Sequence, residues 1–376
     1  MDITETDAQR EVRDRYAAWL DDFLPADYHQ RYREYFADWG LRRAYQREAF
    51  EAGWLVPQWE QGLGGQSLDD LETLSIRLES ARRAAPKLPN IQGIGVVAPG
   101  LRDHGTPAQI DRYLVPLLRG DEWWALGMSE PEAGSDFGSL RTRAVRDGDR
   151  WVVNGQKIWT TQAHESRFAT LFCRTDPEAA KHRGITCFVL DLEAPGVTVR
   201  PIRPAHDDSL EIFCEVFLDD VEIPESEMLG AENDGWNVAM GSLNHERDMI
   251  WIMNWVEIER GLQKVRQSLR DQARDDVLVD LGRRLADAEA IRMTGYRAVT
   301  NEQRGVRSTE FLILKLFGSE ALQQTWELAI QAGGSAALAD AQLLLEDFDA
   351  LGATIYGGTS EVQRNIIGER ALGLPK

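Results

Sequence analysis

The stretch Trp151-Val152-Val153-Asn154-Gly155-Gln156-Lys157-Ile158-Trp159 decides how the chain divides. Apolar and β-branched residues flank an Asn-Gly pair, and Asn-Gly suits a two-residue type I′ turn because both central residues tolerate positive φ. The stretch therefore reads as two strands joined at Asn154-Gly155. Further strands are predicted at Phe168 to Arg174, Ile185 to Asp191, Val197 to Ile202 and Leu210 to Val221, short runs broken by Gly, Pro and Asp. Together they predict an antiparallel barrel or sandwich.

Outward from this block the period changes. Upstream, Leu71, Leu74, Leu78 and Ala81 recur at the spacing of one helix face, predicting a helix over Leu68 to Ala85. Ser67 is its expected N-cap, with Asp69 and Asp70 in the first turn. Gly62-Leu63-Gly64-Gly65 just before it reads as a loop; no strand clearly precedes it and no Lys-Ser/Thr follows, so it does not read as a phosphate cradle. Downstream, helices are predicted at Trp236 to Arg260, Leu278 to Asn301, Thr309 to Gln331 and Ser360 to Leu372. The 376 residues exceed what one core usually serves. The expectation is an α+β chain: an N-terminal helical domain over 1–120, a middle β domain over 121–231 and a C-terminal four-helix bundle over 232–376.

Charge narrows the function. The net charge is −20 and no Lys/Arg block occurs, which argues against nucleic acid and anionic membrane as partners. A few local arginines still suffice to bind an anionic ligand. Met1-Asp2-Ile3-Thr4-Glu5 has no basic region followed by an apolar core, and no run of eighteen apolar residues exists, so the expected location is cytoplasmic. Cys173, Cys187 and Cys214 are odd in number and lack CxxC spacing, so no disulfide frame and no metal site is expected; they read as small buried hydrophobes.

Three segments stand out chemically. Gly127-Met128-Ser129-Glu130-Pro131-Glu132-Ala133-Gly134-Ser135-Asp136 packs hydroxyls and glycine around a proline turn, which directs N–H and O–H groups at one polar edge. Trp159-Thr160-Thr161 places an aromatic face and a hydroxyl two residues apart, on the same side of a regular strand, where both meet one flat ligand. Ile355-Tyr356-Gly357-Gly358-Thr359-Ser360-Glu361-Val362-Gln363-Arg364 runs two glycines into a helix start, whose free N–H groups favour an anion or a polarised carbonyl. Taken singly, each also reads as ordinary structure: a surface turn, a core tryptophan beside strand threonines, and a helix capped by Thr359 or Ser360.

Taken together, and in this order between helical flanks, the segments resemble the acyl-CoA dehydrogenase family over most of the chain. The carrying motifs are Met128-Ser129-Glu130-Pro131 through Gly134-Ser135-Asp136, Asn154-Gly155-Gln156-Lys157 with Trp159-Thr160-Thr161, and Gly358-Thr359-Ser360-Glu361. The resemblance implies FAD. It implies hydrogen bonds to the flavin ring from Ser129 and Thr161, packing by Trp159, a phosphate-side contact at Ser135, and further cofactor contacts at Met128, Thr359 and Glu361. It also implies substrate contacts at Gly357 and Gly358, where a backbone amide and a ribityl hydroxyl polarise the thioester carbonyl. The implied reaction removes an α proton and a β hydride from an acyl-CoA, giving a trans-2-enoyl-CoA, with an electron-transfer flavoprotein as the electron acceptor.

Many relatives carry their base as the glutamate of a Tyr-Glu-Gly-Thr segment; the matching position here is Gly357, which takes no proton. Another branch of the family carries a Glu-Arg pair on an earlier helix, and Glu246-Arg247 matches it. Helical spacing supports the same residue: Ala239, Leu243, Met249, Ile250 and Met253 stand three, four or seven positions from Glu246, an apolar face on which desolvation strengthens a carboxylate base. His245 points about 100° away and reads as structural. Arg247 is the candidate CoA contact.

Two departures touch what one subunit gives its neighbour. The family's Arg-x-x-Phe-Gly stretch, matching Gln267 to Val277, keeps Arg270 and Arg274 without Phe-Gly, and Gln-x-x-Gly-Gly is altered to Ile330-Gln331-Ala332-Gly333-Gly334. The expectation is a homotetramer, or a heterotetramer with a homologous subunit as in steroid side-chain dehydrogenases. An oxygen-reducing oxidase and a non-catalytic subunit are the rival readings; keeping Glu246, Trp159 and Thr161 argues against the second.

Overall fold

The computed structural model describes residues 4–36, 38–203, 213–271, 274–306 and 308–375, and within these the side chains of 33, 36, 243–249 and 271 fall outside the description. In chain order the main elements are α1 (Asp7–Phe23), α2 (Tyr32–Phe36), α3 (Trp39–Glu51), α4 (Asp70–Arg82), α5 (Ala98–His104), α6 (Pro107–Gln109), α7 (Val115–Arg119), β1 (Trp124–Gly127), β2 (Arg143–Asp147), β3 (Arg150–Thr161), β4 (Phe168–Arg174), β5 (Ile185–Asp191), β6 (Val197–Pro201), β7 (Phe213–Pro224), β8 (Met228–Leu229), α8 (Gly235–Asp271), α9 (Asp275–Gln303), α10 (Glu310–Ala337), α11 (Ala341–Gly352) and α12 (Ser360–Ile366). They form two compact units, one of Met1–Asp22, Asp69–Ala85 and Arg247–Lys376, the other of Phe23–Leu68 and Pro86–Glu246.

The second unit holds the sheet, ordered β6-β7-β3-β2-β4-β5-β8, with β1 paired to β4. Pairing is antiparallel except β1 with β4 and one residue pair of β2 with β4. β4 and β5 are apolar on both faces because both faces are covered. Phe168 and Phe172 pack with Trp124, Leu117 and Leu101. Ala169, Leu171 and Cys173 pack with Trp151, Phe188 and Val216 on the other side. Cys173 and Cys214 are buried on that side and Cys187 on the first, and burial pushes the Cys173 thiol up to about 12, so it is an uncharged apolar filler.

The expected hairpin at Asn154-Gly155 is not formed. β3 runs unbroken from Arg150 to Thr161 against β7, with a register shift between Val153 and Gly155. The Asn-Gly pair sits at an irregularity in a long strand, and Asn154 uses its side chain on Asp220. The hairpin lies one strand earlier, where β2 meets β3 across Asp147↔Arg150, with Gly148 at φ 63 in the turn. Residues 204–212, which include the start of the predicted Leu210 strand, lie outside the described residues.

The first unit is helical. On α8, Trp251, Trp255, Ile258, Leu262 and Val265 are buried at alternating spacings of four and three, the seam of a helix bundle. They share a core with Ile291 and Ala298 of α9, Leu314, Leu322, Trp326 and Ala329 of α10, and Leu343 of α11. Each such aliphatic side chain contributes about 1.5–3 kcal/mol by leaving water. α9 and α10 also keep Gly295 and Gly261-facing Thr325 small, and a Cβ at Gly295 would meet the Trp251 ring at 2.4 Å. The cap of α4 is Asp69 rather than the expected Ser67: Asp69 accepts from Glu72 N at 2.8 Å and Glu72 accepts from Asp69 N at 3.0 Å, a reciprocal box that a serine two residues earlier cannot reach.

Candidate functional site

In the sheet-bearing unit, a buried ion pair builds the site from below. Lys157 is fully buried on β3, and its Nζ donates to Glu130 Oε1 at 2.8 Å and to the Met128 carbonyl at 3.1 Å. The Glu130 carboxylate also accepts from Arg141 N at 2.6 Å and Thr142 N at 2.9 Å. Burial pushes the Glu130 carboxyl up, but the Lys157 ammonium and these donors outweigh it and hold it below the ordinary glutamate value. Glu130 also closes the proline turn, its N–H and C=O pairing with Ala133 at 3.0 and 3.1 Å. The Ser129 carbonyl accepts from Ile158 N at 2.9 Å. One lysine thus staples the Met128-Ser129 loop to β3.

Just beyond that staple the strand breaks. Between Lys157 and Thr160 of β3 the register against β7 shifts by one residue, a bulge. Lys157 and Thr160 both turn inward, while Trp159 takes φ 59 and is 58% exposed. A tryptophan in the left-handed region is a strained residue, and such residues cluster at binding sites. The same-side expectation for Trp159 and Thr161 assumed a regular strand, which the bulge removes. Both nonetheless come to Phe213: Thr161 pairs with it across the ladder, and the Trp159 ring meets it edge-on at 5.8 Å. Trp159 is therefore a presented aromatic face and not a core tryptophan. Ser129 is half-buried beside Ile158, whereas Ser135 is exposed at the far end of the turn.

In the helical unit, the segment from Ala353 to Ser360 forms a tight turn. Thr359 is the cap of α12, its Oγ1 accepting from Val362 N at 3.2 Å. Gly357 and Gly358 take φ 62 and 93, the region that glycine enters without penalty. A Cβ at Gly357 would meet Ile250 Cδ1 at 3.1 Å, so this position aims at α8. A pocket of about 530 Å³ opens beside the turn, lined in part by Gln323, Gln324, Thr359, Ser360, Glu361 and Arg364. Its one lining arginine, Arg364, is already paired with Glu320 at 2.5 Å. Glu361 is held below the ordinary glutamate value by its own backbone N–H and then by Thr359. Among the described residues the buried Ser360 hydroxyl has no partner. Such a lining suits an uncharged, hydrogen-bonding group better than a diphosphate.

Glu246 and Arg247 lie within α8, but their side chains fall outside the described residues. Of the apolar face expected around Glu246, Ala239 and Ile250 are buried, while Met253 is 45% exposed. The two segments that depart from the family pattern meet each other: Arg274 Nη1 donates to the Gln331 carbonyl at 2.8 Å, and Gly334 interrupts α10 at φ 56, ψ −137. Arg270 lines a separate pocket of about 240 Å³ with Gln263, Arg266 and Gln267.

A helical, β, helical chain whose strand β3 ends in an exposed indole and neighbouring hydroxyls, and whose helical unit carries a glycine turn, has the arrangement expected of a flavoprotein dehydrogenase. The family models agree: the N-terminal, middle and C-terminal domains of acyl-CoA dehydrogenase match residues 6–121, 125–221 and 233–372. The chain is similar to IpdE1 of Mycobacterium tuberculosis, an acyl-CoA dehydrogenase, at 34% identity over 89% of this chain and 88% of that one. It is 35% identical to FadE34 of the same organism over 87% of its own length, but spans only 45% of that protein. Among solved structures, the Tcur3481-Tcur3483 steroid ACAD matches at TM-score 0.88 and 30% identity, and the ChsE4-ChsE5 complex of M. tuberculosis at 0.86 and 30%, each over 100% of both chains. The chain belongs to the acyl-CoA dehydrogenase family; it is an oxidoreductase of acyl-CoA thioesters, and its cofactor is FAD. The residues present fit that cofactor: an exposed indole and a half-buried hydroxyl suit a flavin ring, and the polar pocket at Thr359 suits an uncharged part of the dinucleotide.

Sequence reasoning missed the Glu130–Lys157 clamp and the buried Lys315 described below. The available signal was a lysine inside an apolar run, as in Ile313-Leu314-Lys315-Leu316-Phe317. Among the described residues no helix is long and apolar enough to cross a membrane.

Proposed function

We propose that Glu246 is the α-proton base in the dehydrogenation of a steroid-derived acyl-CoA, and that the chain works beside a homologous subunit. The observation that carries the base assignment is the missing side chain at position 357, together with the Glu246-Arg247 pair in the α8 sequence. A side chain built there would meet Ile250, on the helix whose sequence also carries Glu246. A carboxylate borne by α8 would then act where the glycine is silent.

In this reading the Gly357 amide N–H donates a hydrogen bond to the thioester carbonyl oxygen and stabilises the charge that builds on it when the α proton leaves. The proton passes to the Glu246 carboxylate. The electron pair of the broken Cα–H bond forms the new double bond as the β hydrogen departs as hydride. FAD, when bound, accepts that hydride. Ser129, Thr161 and Trp159 hold the flavin ring, and Ser135, Thr359 and Glu361 line the rest of the cofactor. Arg247 and Gly358 contact the substrate, and an electron-transfer flavoprotein takes the electrons onward.

The proposal of a steroid-derived substrate and a second subunit is supported by the steroid dehydrogenase and the two-component complex that the chain resembles. It is also supported by the altered segments at Arg270–Arg274 and Gln331–Gly334. A panel of butyryl-, octanoyl-, palmitoyl- and steroid-ring CoA thioesters tests the substrate class. Steroid thioesters are expected to give the highest kcat/KM, and a preference for straight chains contradicts that class. One FAD per chain with full turnover by the chain alone contradicts the second subunit.

A further inference from the structure

Lys315 on α10 is 1% exposed, and its Nζ donates to the Ala353 and Gly358 carbonyls, each at 2.8 Å. It also stands 5.9 Å from the centre of the Tyr356 ring. One ammonium therefore brackets the whole glycine turn. A second side chain helps: Gln363, buried on α12, donates from Nε2 to the Gly357 carbonyl at 3.1 Å. The carbonyls of Gly357 and Gly358 are thus both drawn inward by side chains.

The consequence follows from peptide geometry. In a trans peptide the C=O and the N–H point opposite ways. The Gly357 carbonyl shares its plane with the Gly358 N–H, and the Gly358 carbonyl with the Thr359 N–H. Carbonyls held inward turn those two N–H groups outward. Among the described residues, the N–H groups of Gly357, Gly358 and Thr359 have no acceptor in the chain, whereas the Tyr356 and Ser360 N–H groups donate to Gly352 and Thr354 at 3.1 and 3.0 Å. Three successive free N–H groups at a glycine turn form a nest for a negative or polarised oxygen.

We propose that Lys315 is the positioning residue for the thioester carbonyl. It pins both ends of the 353–358 turn, and so fixes the direction in which the amides of 357–359 meet the carbonyl oxygen. It touches no substrate itself. The inference rests on the proposed carbonyl-binding role of the Gly357 turn, but not on Glu246 being the base.

The test uses the FAD-loaded protein, with any partner subunit, and the panel thioester of highest kcat/KM carrying ¹³C at its carbonyl. Isotope-edited infrared spectroscopy reads the polarisation of the bound carbonyl. In the native protein and in Glu246→Gln the carbonyl stretch is expected to fall below its value in water. In Lys315→Met, FAD is retained, that downshift is lost, and kcat falls about 10²-fold, the effect of removing one oxyanion-type donor. KM changes by less than about threefold, because the contact strengthens chiefly in the transition state. Amide hydrogen exchange across 352–359 rises by about tenfold or more. Lys315→Gln, which keeps one donor and folds with less disturbance, is expected to fall between. A native downshift and native kcat in both Lys315 variants overturns the inference, as does a native protein that leaves the carbonyl unpolarised. Full activity in Glu246→Gln sinks the base alone and leaves Lys315 standing.

Discussion

Lys157→Met removes the cation from the Glu130 clamp while keeping most of its volume. The Lys157 side chain is 0% exposed and that of Glu130 7%, so water replaces little of what is lost. The Met128 carbonyl loses its 3.1 Å donor, and an unpaired buried acceptor costs about 1–3 kcal/mol. Glu130 keeps the Arg141 and Thr142 amides but faces burial without its counter-ion. Breaking a buried pair from one side costs about 3–5 kcal/mol in all, and the surviving amides place the expected loss near the lower end of that range. Urea unfolding followed by tryptophan fluorescence, at fixed FAD and constant slope, measures it. The double variant Lys157→Met/Glu130→Gln removes both charges and is expected to recover part of the loss, giving a coupling well outside additivity. The pH dependence has a definite sign. Glu130's folded pKa lies below its unfolded one, so its contribution is present above the unfolded value and lost as pH falls through the folded one. The gap between native and Lys157→Met therefore closes on acidification through that window. A Lys157→Met protein within about 1 kcal/mol of native at neutral pH, holding FAD as tightly, would refute the clamp.

Two further substitutions separate binding from stability. Trp159→Gly relieves a left-handed residue, worth about 1–2 kcal/mol, and removes a ring that is 58% exposed; the melting temperature without FAD is expected to hold or rise while FAD affinity falls, and unchanged affinity by flavin fluorescence titration counts against Trp159 as the flavin platform. Thr359→Ala deletes the cap on Val362 N, with an expected loss of about 0.5–2 kcal/mol and faster exchange in α12; Thr359→Ser is expected to restore both, and failure of the serine to do so points to a role other than capping.

The strands Phe168–Arg174 and Ile185–Asp191 were legible to the residue because both are short, apolar on each face and bounded by turn residues. The long helices were legible in outline from a proline-free stretch, but α8 continues to Asp271, past the expected end at Arg260. Asn154-Gly155 misled because Asn-Gly marks a local preference, and the pairing of β3 with β7 over twelve residues overrode it. α11 and the short strands β1, β2 and β8 lack a period long enough to read. The candidate cofactor segments were legible as motifs, but the side chains that support them were not. Lys157 finds Glu130 across 27 positions, and Lys315 finds Gly358 across 43. Such pairings are set by which elements pack together and leave no periodic trace. The bulge that exposes Trp159 likewise depends on β7 running one residue short of β3.

Anaerobic mixing of Glu246→Gln with the best thioester of the panel, following loss of the flavin's yellow colour in a single turnover, tests the proposed chemistry most directly. The variant is expected to bind FAD and thioester normally and to bleach about 10²–10⁴-fold more slowly than native, the usual contribution of a positioned base. Bleaching at the native rate would place the base elsewhere.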